Sequence, residues 1–324
     1  MLYIAQFEQL GIYGYYSLIM KKILRTLAEV IFTLIHPIFK PESVQLFLRR
    51  FIALPYSMAK FLDYQGVVPF IVNGKELFMR SYNTPIEMTV FWRGIFGGRE
   101  GTELLVWSEL SNVASVAVDI GANNGIYALV SSAYPNVQIH AFEPVPNVFD
   151  MLLENRFLNP NPASVIVPHQ MVVSDSVGTQ TLYVPKTGWV DVASLDKEFA
   201  GRYTEGRELV AISCKATTLD SFLVEQKISD SALIICKIDV EGAEPLILKG
   251  AQETIKNLNI AFLIEALDTP AFNALKPFFD SEYQIYGVDD KCKKIFKTDV
   301  SSDRANNYLF VKKLPGGGLA GLVG

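Results

Sequence analysis

Basic charge is in short supply in this sequence. Lysine and arginine total 29 against 34 aspartates and glutamates, leaving a net charge of −5. A nucleic-acid partner needs a basic face, so none is expected. Cysteine is scarce as well. Cys214, Cys236 and Cys292 show no metal-ligand spacing and build no disulfide framework. That usage suits a reducing cytoplasm. Cys236, inside an apolar run, reads as a small core residue. Histidine occurs only as His36, His140 and His169. The last two fall inside expected strands, so none is a good general base. No apolar run reaches the roughly 20 residues that a membrane-spanning helix needs. No small-residue cleavage site follows an apolar segment, so no secretory signal is expected.

Apolar residues are plentiful, at 50% of a 324-residue chain. That length suits one large α/β domain with an extension. Residues 1–65 read as a helical extension, with apolar runs at 15–20, 23–35 and 44–52. This extension either packs on the domain, as a cap or homodimer contact, or lies on a membrane. In the second case Lys21, Lys22, Arg25, Arg49 and Arg50 would face anionic lipid. Residues 66–84 read as a β-hairpin turning at Asn73-Gly74. Residues 85–313 read as the main domain, with helix over 85–111 broken at 96–101. The glycine-rich residues 314–324 read as a flexible tail.

The rest is arranged around Val116-Ala-Val-Asp119-Ile-Gly121-Ala122-Asn123-Asn124-Gly125. This is a buried strand ending in an acid and a glycine-rich turn, followed by a helical run from Ile126. Such a turn makes a cradle of backbone N–H groups at a helix start. The dinucleotide fingerprint G-x-G-x-x-G fails here, because Asn123 and Ile126 stand at its second and third glycines. Asp119 can accept from amides or from a ligand ammonium. The second strand, 136–142, ends in Glu143, placed to grip ribose hydroxyls or to cap the next helix. The third, 163–173, ends in Ser174-Asp175, placed to meet an adenine amino group or to form a turn. The fourth, from Ala232, is apolar until Lys237, Asp239 and Glu241 crowd its tip.

Val118–Tyr127, Phe142–Asn147, Lys237–Glu244 and Leu248–Ala251 together resemble the FkbM family of S-adenosylmethionine-dependent methyltransferases. The resemblance spans residues 85–312. It implies a class I methyltransferase fold: a Rossmann-like, mostly parallel, seven-stranded sheet whose last strand is antiparallel. It implies S-adenosylmethionine as cofactor and O-methylation of a hydroxyl on a sugar, glycan or other natural product. The cofactor set is then Asp119, Gly121, Ala122, Asn123, Gly125, Glu143, Ser174 and Asp175. Asp239 or Glu241 is the candidate base, with Lys237 tuning their charge. No metal is assigned, although Asp239, Glu241 and Glu265 offer an alternative divalent-cation site. The resemblance also places a β-hairpin insertion over residues 178–216. There Trp189 and Tyr203 either stack on a sugar or anchor the loop. Family members often carry a histidine two residues beyond the fifth strand's acid, where this chain has Leu267. An NAD-dependent oxidoreductase and a non-catalytic membrane-associated scaffold are the rival functions.

Overall fold

The computed structural model describes residues 38–324 apart from 99, 161–165, 188–192, 205, 230 and 317. The helices expected at 15–20 and 23–35 lie outside the described residues, as do Trp189 and the side chain of Tyr203.

Two short helices, α1 (Glu42–Leu48) and α2 (Tyr56–Ala59), precede the hairpin of β1 (Val67–Val72) and β2 (Lys75–Arg80). Asn73 and Gly74 make its turn at φ 49° and 72°, the left-handed pair that two-residue hairpins require. Next come α3 (Pro85–Arg93), α4 (Gly101–Ser111), β3 (Val116–Ile120), α5 (Ile126–Ser132), β4 (Gln138–Phe142) and α6 (Pro146–Phe157). β5 (Ile166–His169) and β6 (Val172–Val173) follow. The insertion contains β7 (Gly178–Pro185), α7 (Lys197–Tyr203) and β8 (Leu209–Thr217). The domain continues through α8 (Leu219–Glu225), β9 (Ile234–Ile238), α9 (Glu244–Lys249), α10 (Gln252–Asn257) and β10 (Ile260–Glu265). It closes with α11 (Thr269–Leu275), β11 (Gln284–Asp289), β12 (Lys294–Lys297), β13 (Asn307–Val311) and α12 (Leu319–Leu322).

The main sheet runs β12-β11-β13-β10-β9-β3-β4-β5. β5, β4, β3, β9 and β10 are parallel, and β13 inserts antiparallel between β10 and β11. These are the expected strands of the Rossmann-like sheet, with β12 added as an eighth at one edge. β3 and β9 are buried at every position, because helices cover both faces of the sheet. Ala117, Ile139 and Leu309 pack toward one layer, and Val118, Phe262 and Phe310 toward the other.

Two expectations need correction. The third strand is not continuous. It stops at His169, and residues 172–173 pair with β8 in a separate three-stranded sheet. Pro168 is tolerated because β5 is the sheet edge. Residues 314–324 are not a free tail either. Leu319 is fully buried in the core, and the Gly324 amide donates to the Ile295 carbonyl at 3.0 Å. Asn155 and Asn159, at the end of α6, tie that helix to the hairpin. Their side-chain oxygens accept from the Arg80 and Phe78 amides at 2.7 and 2.8 Å, which joins β2 to α6.

Candidate active site

A cavity of about 1180 Å³ opens over the carboxyl ends of β3, β4, β9 and β10. This is where open α/β sheets bind ligands. Gly121, Ala122, Asn123 and Glu143 line one part of it, and Asp239, Glu241 and Glu265 another.

The glycine-rich turn is tightly self-satisfied. The Gly121 and Ala122 amides donate to the Phe142 carbonyl, and the Gly125 amide to the Ala122 carbonyl. Asn123, at φ 50°, donates its amide to Glu143 Oε2 at 3.0 Å. The Ile126 amide donates to Asn124 Oδ1 and the Ala128 amide to Asp119 Oδ2. Six amides of the expected cradle are therefore taken by the chain's own carbonyls and side chains. Gly125 caps α5 in the left-handed conformation at φ 85°.

Asp119 is buried, and its Oδ1 has no partner. Burial raises its carboxyl to about 7, against the opposing pull of Lys237 and the Ala128 amide. Glu143 is also pushed up to about 7 by burial, although the Val145 and Asn123 amides oppose it. Its Oε1 accepts from the Val145 amide at 2.9 Å. Ser174 and Asp175 do not line the cavity; Met171, Val172 and Val173 stand there instead. Asp175 pairs with Lys249 at 2.7 Å, and Ser174 lies against Gly250. Beyond the break between β5 and β6 the Asp175 side chain reaches α9, and Ser174 meets Gly250 through its backbone carbonyl.

The Lys237–Glu244 motif forms the opposite tip. Its backbone is left-handed at Glu241 and Gly242, with φ 55° and 89°. Glu244 holds that turn, since its Oε1 accepts from the Val240 and Gly242 amides at 3.1 and 3.2 Å. From the insertion, Ser194 Oγ donates to the Glu241 carbonyl at 2.7 Å, and the Phe199 ring packs on Gly242. Lys237 is 1% exposed and lies behind the cavity wall. Its Nζ donates to Asp239 Oδ2 at 3.0 Å. Burial alone would lower the Lys237 ammonium, but Asp239 and Glu265 outweigh it and hold it above its ordinary value. Carboxylate oxygens of Asp239, Glu241 and Glu265 lie within 4.8 Å of one another. Burial and Asp239 push Glu265 well above the usual carboxylate range.

Several residues at the site carry no motif. Glu87 is fully buried on α3 and accepts from Asn124 Nδ2 at 2.9 Å, tying the helix to the turn. The capping pattern Thr84-x-x-Glu87 signals a helix start, but nothing in it reveals the partner. Glu100 accepts from the Tyr127 hydroxyl at 3.3 Å, and Glu103 from Asn307 Nδ2 at 3.1 Å. Leu267, in place of the family histidine, lines the cavity.

The model of the methyltransferase FkbM domain family matches residues 119–293, more than half of the chain. The methyltransferase sdnD of Sordaria araneosa is 32% identical over 156 residues, covering 42% of this chain and 60% of that protein. The hexuronic acid methyltransferase AglP of Haloferax volcanii is 27% identical over 171 residues, covering 53% and 63%. This chain thus spans less than two thirds of the length of either relative. A solved FkbM methyltransferase from Methylobacillus flagellatus aligns over 88% of this chain and 60% of its own, at 16% identity and a TM-score of 0.35.

Proposed function

The chain belongs to the FkbM methyltransferase family, and from that premise we propose that it transfers a methyl group from S-adenosylmethionine to a hydroxyl of a sugar or other natural product. One observation carries the choice of cofactor. The amides of Gly121, Ala122, Asn123, Gly125, Ile126 and Ala128 are all bonded inside the chain. A dinucleotide pyrophosphate needs such amides open. S-adenosylmethionine brings no phosphate, and its charged end includes an ammonium. Asp119, buried just behind the cavity lining, keeps one unpartnered oxygen that would suit that ammonium. Glu143 would hold the ribose hydroxyls, with Phe142, Val172 and Val173 flanking the base. When bound, the cofactor supplies a methyl group already activated by its sulfonium.

The chain's own task is then to place the acceptor oxygen and remove its proton. Asp239 is the proton acceptor in this reading. It lines the cavity, and Lys237 faces it from behind. Glu241 and Glu265 flank the acceptor. AglP, named for hexuronic acid, supports a sugar as the acceptor class. The spacing of Asp239, Glu241 and Glu265 favours one second reading, in which a divalent cation activates the hydroxyl.

The test is transfer of a labelled methyl group from S-adenosylmethionine onto a total cell extract, followed by identification of the product. A labelled carbohydrate or other hydroxyl product supports the proposal. Failure to label any product overturns it, and full turnover in both Asp119→Ala and Asp239→Asn would remove those two residues from the site.

A further inference from the structure

A hydrogen-bonded line runs from the acid tip through the buried Lys237 to Asn307 and Glu103 in the cavity wall. Asp239 Oδ2 accepts from Lys237 Nζ at 3.0 Å. The same Nζ donates to Asn307 Oδ1 at 3.2 Å, and Asn307 Nδ2 donates to Glu103 Oε1 at 3.1 Å. Asn307 and Glu103 are 5% and 4% exposed, and Lys237 is 1% exposed. We infer that Asn307 and Glu103 are positioning residues, holding the Lys237 ammonium where it fixes the Asp239 carboxylate for proton removal from the acceptor. This rests on the methyl-transfer reading above.

The chemistry allows only one orientation of the amide. An ammonium only donates, so Asn307 Oδ1 must face it and Nδ2 is left for Glu103. The backbone fixes the place, because Asn307 sits opposite Glu265 in the β10–β13 register. Lys237 Nζ also lies 5.2 Å from the centre of the Tyr127 ring. A buried ammonium with a missing partner carries a large desolvation penalty, so it stays where acceptors stand. Without Asn307, Lys237 would have to seek another acceptor, and its grip on Asp239 would change. Burial, with Asp290 and Glu100, raises Glu103 to about 9. At neutral pH it is thus an uncharged acceptor and does not compete with Asp239 for the ammonium.

Neither residue lies within 119–293, the span that the family model matches. Glu103 comes from α4 before the first sheet strand, and Asn307 opens the last strand. The two ends of the domain are therefore joined to one carboxylate through Lys237.

Three variants test the inference, using the acceptor found by labelled transfer. Asn307→Leu and Glu103→Leu cut the line. Glu103→Gln keeps it, through an amide oxygen. The expected result is a fall in kcat on the order of 10- to 100-fold in the two leucine variants, part of the ~10²–10⁴-fold that a positioned base supplies. The KM for S-adenosylmethionine should not change, and Glu103→Gln should restore the kcat lost in Glu103→Leu. Full kcat in the leucine variants, equal loss in all three, or a change confined to KM overturns the inference.

Spectra of protein labelled with ¹⁵N-lysine give a readout that needs no acceptor. The Lys237 Nζ resonance should be displaced or lost in Asn307→Leu and retained in Glu103→Gln; an unmoved resonance in Asn307→Leu overturns the inference. Wild-type protein that transfers no methyl group at all marks failure of the methyl-transfer reading instead.

Discussion

The backbone at Gly121 runs so close to Asp239 that a Cβ at position 121 would collide with the Asp239 carbonyl. The turn on the cofactor side and the acid tip on the acceptor side are thus in direct contact. Gly121 also sits at φ +79°, where a side chain is strained even in open space. Gly121→Ala should cost at least about 2 kcal/mol from backbone strain and overpacking. Denaturant unfolding measures this. Gly201→Ala is the control, because that site on α7 is open and free of strain. It should be neutral or slightly stabilising. Equal behaviour of the two variants would contradict the contact.

The two sides of the cavity should separate in kinetics. Asp239→Asn is expected to lower kcat by roughly 10²–10⁴-fold, the range for a lost general base. Its affinity for S-adenosylhomocysteine should stay at the wild-type level by calorimetry. Glu143→Ala should do the opposite and weaken that affinity by about 1–3 kcal/mol, as expected for a lost hydrogen-bonding carboxylate. Loss of cofactor affinity in Asp239→Asn would place that residue on the wrong side.

Glu87 supports the turn from outside the matched family span. Its carboxylate accepts from the Tyr82 and Thr84 amides at 2.9 and 2.8 Å and from Asn124. Glu87→Ala leaves one buried and two half-buried donors without partners. A loss of at least about 2 kcal/mol is expected, at 1–3 kcal/mol for each unsatisfied group with partial relaxation. Weaker binding of S-adenosylhomocysteine should accompany it. A stability loss with unaltered binding would show that the tie to Asn124 does not shape the site.

Chelation distinguishes proton removal by Asp239 from cation activation. Lys237 already supplies a positive charge beside Asp239. Exhaustive treatment with a chelator, followed by gel filtration, should leave turnover unchanged. Loss restored by one divalent ion would favour the cation reading.

Buried His140 and half-buried His169 form a pair, with Nδ1 and Nε2 3.0 Å apart. Burial, and then His169, lowers His140 to about 4. A base with a depressed folded pKa favours the neutral folded state. Its contribution is complete above the unfolded value of about 6.5 and is lost as pH falls toward 4. Stability lost over that window should reach up to about 3 kcal/mol from this group. Other groups titrate there, so the comparison is with His140→Gln. Thermal unfolding from pH 7 to 4.5 should be less pH-dependent in the variant. Identical profiles would exclude the pair as a source.

Much of the fold was legible because strands buried on both faces leave an unbroken apolar signature. β3, β9 and β10 are of this kind. The Asn73-Gly74 turn was legible because few residue pairs adopt its backbone. The third strand was not, since an apolar run does not show that it leaves one sheet for another at residue 172. At the site, Gly121, Asn123, Glu143, Asp239 and Glu241 were readable from strand tips, and the structure brings them to one cavity. Ser174 and Asp175 obeyed the same rule on paper, yet the break in the third strand turns them away.

Local sequence settled where strands stop and which acids stand at their tips, because chain direction and side-chain type decide both. Only the folded chain decided which of those groups keep an open hydrogen-bonding atom. Asp119, Asn124 and Glu143 consume the amides of the turn. Lys237 withdraws behind the wall to meet Asn307, 70 residues away. Partnership between buried polar groups depends on distances that no spacing along the chain encodes, since desolvation forces each group to whatever partner the packing supplies.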